Sequence, residues 1–168
     1  KKCRRDRPRP QNKRTWAEMT QIEEGQVSDG QPRLFTELAQ DVRLRLAGQS
    51  KPVVCVMDGQ RSFRSLVKRF EQITPILDIF HVIERLWNAA HCFHADCSLA
   101  AEKYVDRYLE MILDGKVGYV IGLLKRAAKS LNRSRRSNLE KVIKYFENNR
   151  MYMKYDEYLR AGYPIGSG

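Results

Sequence analysis

The sequence predicts an α/β fold, a parallel strand–helix–strand core followed by a block made of helices alone. Three observations predict it. Two short apolar runs, Val53–Met57 and Ile76-Leu77 after Pro75, each stop on a carboxylate, Asp58 and Asp78. Between them Phe63, Leu66, Val67 and Phe70 recur at helical spacing, within residues 60–72. Beyond Phe80 only helical periodicity is present. Parallel strands require a crossover of this kind, and it brings their C-terminal ends to one edge of a sheet. Open α/β sheets bind ligands at that edge.

The preceding residues are less regular. Residues 1–13 are basic, contain proline and show no periodicity, as a loop or disordered arm would. Residues 14–20 alternate weakly, which suits a strand, and residues 21–31 are turn-rich. Leu34, Phe35, Leu38, Val42 and Leu46 then define a helix over residues 32–46, with Pro32 at its start and Gly48 after its end.

Five helical segments come after the two runs. Residues 80–94 present Val82, Ile83, Leu86, Trp87, Ala90 and Phe93 on one face. Ser98 caps the next, which stops at Asp114-Gly115. Residues 116–131 carry Val120, Ile121 and Leu124. Ser137 is expected to cap a fourth helix ending near Asn149, and residues 151–159 make a short fifth. The α/β part therefore meets the helical part near Asp78, dividing the chain into residues 1–78, 79–160 and a terminal stretch, 161–168.

A chain of 168 residues can bury one sizeable core. Its 42% hydrophobic and 30% charged residues are those of a globular protein. No apolar run has the length of a membrane span, and the basic start lacks the apolar centre of a signal peptide. The expectation is a cytoplasmic protein with no membrane partner. Cys3, Cys55, Cys92 and Cys97 are expected as free thiols. The net charge of +11 is concentrated in two blocks. Residues 1–14 hold eight Lys/Arg against Asp6, and residues 125–150 hold nine against Glu140 and Glu147. Two separated basic blocks around a slightly acidic centre suit a polyanion, and nucleic acid is the expected partner. Lys125, Arg126, Lys129, Arg133, Arg135 and Arg136 are the candidate phosphate contacts, the last three in a predicted interhelical loop.

The candidate chemistry sits at the two acids. Asp58-Gly59 is a common turn pair, and equally a metal ligand or general base aimed at the sheet edge. Asp78 is a good helix N-cap, and a second acid beside the first. One carboxylate pair can hold magnesium, but a two-metal site needs further carboxylates that this chain does not place as well. His81 either half-buries in the first helical turn or faces the acids and orients substrate. The cluster His91-Cys92-Phe93-His94-Ala95-Asp96-Cys97 matches no standard paired zinc module. The tyrosines of the helical block read as core or half-buried positions.

Two stretches, VVCVMDGQ and ILDIFHVIERLWNAAHCFH, precede a third, YFENNRMYMKYDEYLRAGYPIGSG. Together they resemble bacterial insertion-sequence transposases of the Kra group, which belong to the DDE class and have a ribonuclease-H-like catalytic fold. The similarity runs from about Arg7 to Gly168. Its most specific pieces are Asp78-Ile79-Phe80-His81 with Leu86-Trp87-Asn88-Ala89-Ala90, and the terminal Gly162-Tyr163-Pro164-Ile165-Gly166-Ser167-Gly168. Asp-x-x-His is also similar to a signature of Mutator-like transposases.

The resemblance implies a catalytic set of two aspartates and one glutamate holding two magnesium ions, roughly 4 Å apart, for phosphoryl transfer on DNA. Asp58 matches the second aspartate, and Asp78 and His81 match the Asp-x-x-His signature. The first aspartate would precede Lys1 and the glutamate would lie beyond Gly168, so the chain reads as a fragment. Residues 1–78 would then be a partial catalytic core with a basic arm, residues 79–160 a helical insertion, and residues 161–168 the lead-in to the glutamate helix. Transposon ends and target DNA are the implied partners, in a nucleoid-associated and homo-oligomeric complex. Two alternatives remain: a non-catalytic nucleic-acid-binding or regulatory remnant of a mobile element, and a zinc-dependent module built on residues 91–97.

Overall fold

In the computed structural model, the described residues are 17, 19–23, 26–28, 30–62, 67 and 73–167. The basic arm and most of the strand expected over residues 14–20 lie outside them. So does most of the crossover helix. Within that crossover Arg61, Ser62 and Val67 are helical, and Val67 is buried. The chain forms two compact units, residues 1–51 and 52–168.

In the first unit β1 (Gln21–Glu23) and β2 (Gln26–Ser28) pair antiparallel, where the sequence suggests only turns. Helix α1 (Gly30–Arg45) begins two residues before its expected start. The Arg33 guanidinium ties it to the hairpin side by donating to Gln21 Oε1 and the Met19 carbonyl. Gly48 at φ +75° closes the helix in the left-handed conformation that favours glycine.

The second unit is built on β3 (Val53–Met57) and β4 (Ile73–Leu77), which pair parallel with Met57 opposite Leu77. The β4 strand begins two residues before Pro75, which sits inside it opposite Cys55. Proline fits there because its carbonyl faces away from β3 and accepts from Tyr158 Oη, so its missing N–H costs no bond to that strand. Met57, Ile76 and Leu77 are buried.

Helices α2 (Ile79–Ala90), α3 (Leu99–Leu113), α4 (Val117–Ala128) and α5 (Arg133–Asn149) then pack as a ring. Each touches the next in sequence, and α5 returns to α2. Val82 and Leu86, Val105 and Ile112, Val120 and Leu124, and Leu139 and Phe146 fill the centre. Ser98 caps α3 as predicted, its Oγ accepting from Ala101 N at 3.2 Å, and Asp114-Gly115 ends it. The α5 start differs from expectation. Asn132 is the cap, its Oδ1 accepting from Arg135 N, so the segment read as a loop up to Ser137 is the first helical turn. The expected fifth helix divides into a 3-10 turn (Arg150–Tyr152) and α6 (Tyr155–Arg160). Asp78 lies inside this second unit, where strands and helices share one core. No helix among the described residues is long and apolar enough to cross a membrane.

Tyrosines join the helices to the strand pair. Tyr155 Oη donates to the Leu77 carbonyl at 2.7 Å, Tyr158 Oη to Pro75 at 3.4 Å and Tyr145 Oη to Asp58 at 2.9 Å. A two-stranded sheet is marginal alone, and these bonds give its carbonyls partners away from water. Gly59, at φ +82°, passes close beneath the same contacts. A Cβ there would meet Leu77 Cδ1 at 2.8 Å and both Tyr145 Oη and Asn149 Oδ1 at 3.0 Å.

Gly59→Ala is therefore expected to cost about 2–3 kcal/mol in urea denaturation. Gly162→Ala, with the same φ sign and open space around it, should cost only about 1 kcal/mol. Equal losses would show that the close approach at Gly59 carries no energy. Burial, above all, pushes the Tyr155 and Tyr158 hydroxyls above the ordinary tyrosine range. The folded state thus holds protons that the unfolded chain releases near pH 10, so this stability is present below about pH 10 and falls as pH rises beyond it. Tyr155→Phe should lower stability by about 1 kcal/mol at neutral pH and flatten the alkaline decline.

Candidate functional site

The parallel register brings Asp58 and Asp78 to the same edge, each one residue past its strand, and Asp78 N donates to the Met57 carbonyl at 2.8 Å. Their environments then diverge. Asp58 is exposed. Its Oδ1 accepts from Gln60 N at 2.8 Å, closing a local turn over Gly59. The turn role and an accessible carboxylate coexist at this residue.

Asp78 is 5% exposed and engaged on both oxygens. Oδ1 accepts from Phe80 N at 2.9 Å, the N-cap bond of α2. Oδ2 accepts from Ser167 N at 3.3 Å and from Ser167 Oγ in a short hydrogen bond. Ile79 N, another free donor at the helix start, is taken by the Ile165 carbonyl at 2.9 Å. Gly166 lets the terminal segment approach, because a Cβ would stand 3.1 Å from both Ile79 and Phe80 side chains. Asp78 thus holds residues 165–167 over the start of α2.

His81 is half-buried on the first turn of α2, with Nδ1 3.4 Å from Glu84 Oε2. Glu84 also approaches Arg85 at 3.7 Å, and the Arg85 guanidinium lies over the Tyr145 ring at 4.9 Å. Burial raises the Tyr145 hydroxyl and the Arg85 charge lowers it, while the carboxylates of Asp58 and Glu84 raise it further. His81, Glu84, Arg85, Tyr145 and Asp58 therefore form a chain of neighbours along this edge.

Sequence reasoning missed Glu84, Arg85 and Tyr145. Spacing offered a signal for the first two, at i+3 and i+4 from His81 on one helix. Nothing local linked Tyr145 to Asp58, 87 residues away.

The candidate phosphate contacts fall into two groups. Lys125 is paired with Glu147 at 2.6 Å and Arg136 with Glu140 at 2.9 Å. Arg126 and Lys129 are exposed at the end of α4, and Arg133 and Arg135 at the start of α5. Arg135 also lines a cavity of about 430 Å³ between α2 and α5.

Among the described residues, no three His, Cys, Asp or Glu side chains converge as metal ligands. The two-magnesium site implied by the resemblance does not fit what is described: Asp58 is accessible to an ion, whereas Asp78 already accepts three protein bonds. The cluster at residues 91–97 is likewise divided. His91 Nε2 pairs with Asp96 at 2.7 Å, Cys92 is buried with its thiol on the Asn88 carbonyl, and Cys97 is exposed. Cys55, Cys92 and Cys97 are free thiols, and Cys3 lies outside the described residues.

Replacing Asp78 by Ala should cost about 2 kcal/mol, through loss of the cap and of the Ser167 bonds. The amides of Phe80 and Ser167 should exchange with solvent faster in the variant. Unchanged exchange at Ser167 would show that Asp78 does not hold the terminal segment.

With this geometry in hand, comparison adds no relative: no family model, no curated protein and no solved structure matches the chain.

Proposed function

We propose that this chain is part of a DNA transposase of the DDE class, contributing one catalytic carboxylate and a DNA-binding helical region. The observation that carries the reading is the exposed Asp58 at the carboxyl edge of a parallel strand pair, fastened to the basic helix α5 through Tyr145. In this reading the β3–β4 unit belongs to a ribonuclease-H-like core, and Asp58 would be the one carboxylate of the pair free to hold a magnesium ion, whose chemistry at a scissile phosphate would be that of a Lewis acid. Asp58 offers an accessible carboxylate held by its own turn, and Asp78 and His81 act as positioning residues. The basic residues of α4 and α5 contact the DNA backbone.

A second reading is favoured by a specific observation. Asp78 is occupied, and no further ligand joins Asp58 among the described residues. A non-catalytic nucleic-acid-binding protein derived from a mobile element needs neither.

The expected behaviour of the purified chain is salt-sensitive DNA binding without strand cleavage. Fluorescence anisotropy with a labelled duplex should show affinity falling steeply with salt, by the release of about one counterion per phosphate contact. Affinity indifferent to salt would defeat the nucleic-acid reading. Magnesium-dependent nicking that disappears in Asp58→Ala would show that the chain holds a complete catalytic set.

A further inference from the structure

The cavity between α2 and α5 differs from the acid edge beside it. Arg85 and Asn88 contribute to one wall, and Arg135, Asn138, Lys141 and Tyr145 to the other. The α5 residues Arg135, Asn138 and Tyr145 recur at helical spacing, and with Lys141 a single face of that helix presents two cations, an amide and a phenol. Among the described residues no Asp or Glu lines the cavity. Of the nearby acids, Asp96 is paired with His91 and Glu140 with Arg136, while Glu84 stands 3.7 Å from Arg85, a cation of the cavity itself. Among the described residues neither Arg135 nor Lys141 has a carboxylate partner, and the Lys141 ammonium reaches only Asn138 Oδ1 at 3.5 Å. The Arg135 charge is felt at the cavity floor, where it offsets part of the burial that raises the Cys92 thiol.

Arg135 and Lys141, which have no carboxylate partner among the described residues, face this space beside Arg85, and an entering anion would offset their charge. Arginine forks, an ammonium and amide donors match the tetrahedral oxygens of phosphate, while the single Tyr145 O–H is already given to the Asp58 carbonyl. The volume of about 430 Å³ is that of a small-molecule site and accommodates a phosphate with its attached sugar. Tyr145 belongs to both places, lining the cavity while its hydroxyl holds the Asp58 carbonyl.

We propose that the α2–α5 cavity is a phosphate-binding site, formed by Arg85, Arg135 and Lys141 with Asn88, Asn138 and Tyr145, and that a nucleic-acid backbone supplies the phosphate. The site itself rests on the geometry of the cavity; only the identity of its source rests on the transposase reading.

The test uses the intact chain with two probes, inorganic pyrophosphate and a short fluorescein-labelled DNA duplex. Pyrophosphate should raise the melting temperature of the wild type by preferential binding to the folded state. Arg135→Ala and Lys141→Ala remove exposed side chains and should preserve the fold, checked by circular dichroism. Each should weaken pyrophosphate binding about tenfold, and the double variant should abolish the thermal shift. Lys103→Ala, an exposed charge on α3 outside the cavity, serves as the charge-matched control and should behave as wild type. For the duplex, each cavity variant should also weaken binding about tenfold and lower the salt slope by about one. Pyrophosphate binding that is absent, or equal in the wild type and both variants, overturns the site. Loss of pyrophosphate binding with unchanged duplex affinity keeps the phosphate site and overturns its nucleic-acid source. A wild type that binds pyrophosphate but no duplex overturns the transposase reading while leaving the cavity assignment intact.

Discussion

The constraint on which the second unit depends is the parallel pairing of β3 with β4. Parallel strands cannot be joined by a tight turn, so a crossover must return the chain to the same end of the sheet. That return makes Met57 and Leu77 neighbours and sets the residues after them, Asp58 and Asp78, on one edge. A pair of strands also leaves backbone carbonyls in need of partners. Tyrosines from α5 and α6 supply them, and in doing so fix where the helical ring stands relative to the strands. The helices are thus part of the scaffold of the edge, which is why strands and helices fall in one compact unit.

The same edge treats its two carboxylates differently because the chain takes a different path after each of them. After Asp58 comes a glycine at positive φ, which turns the chain and leaves the carboxylate facing water. After Asp78 comes a helix, whose first amides demand an acceptor, and the terminal segment adds a hydroxyl and a further amide. A buried carboxylate is tolerated only with such partners. Asp78 therefore trades availability to a ligand for control over residues 165–167, and Asp58 keeps its availability. Two acids that each end an apolar run come to separate roles.

Much of this is legible in the sequence, and the reasons for the gaps are physical. The β3 run Val53–Met57 is readable because a short β-branched stretch bounded by Pro52 and Asp58-Gly59 has few other solutions. Ser98 and Asp114-Gly115 are readable because caps act within one turn. The start of α5 is misplaced by local pattern because Asn132, Ser134 and Ser137 are all competent caps, and packing selects among them. Pro75 suggests a strand boundary although an edge carbonyl is all that its position must provide. Asp58 is identifiable from its place after an apolar run, whereas Tyr145 is not, because its bond to that residue spans 87 positions. Long-range hydrogen bonds leave no periodic trace.

Tyr145 also shows why the acid edge and the cationic cavity belong to one surface. Its ring carries the Arg85 guanidinium, its hydroxyl holds the Asp58 carbonyl, and its side chain lines the cavity. A ligand that neutralises Arg85 would relieve the positive charge beside the phenol, and a change in the turn at Asp58 would alter the phenol's bond. Tyr145 stands between the Arg85 cation and the Asp58 acid, its ring facing the one while its hydroxyl serves the backbone of the other. The charge separation at this edge is therefore built by packing, with a tyrosine as the spacer.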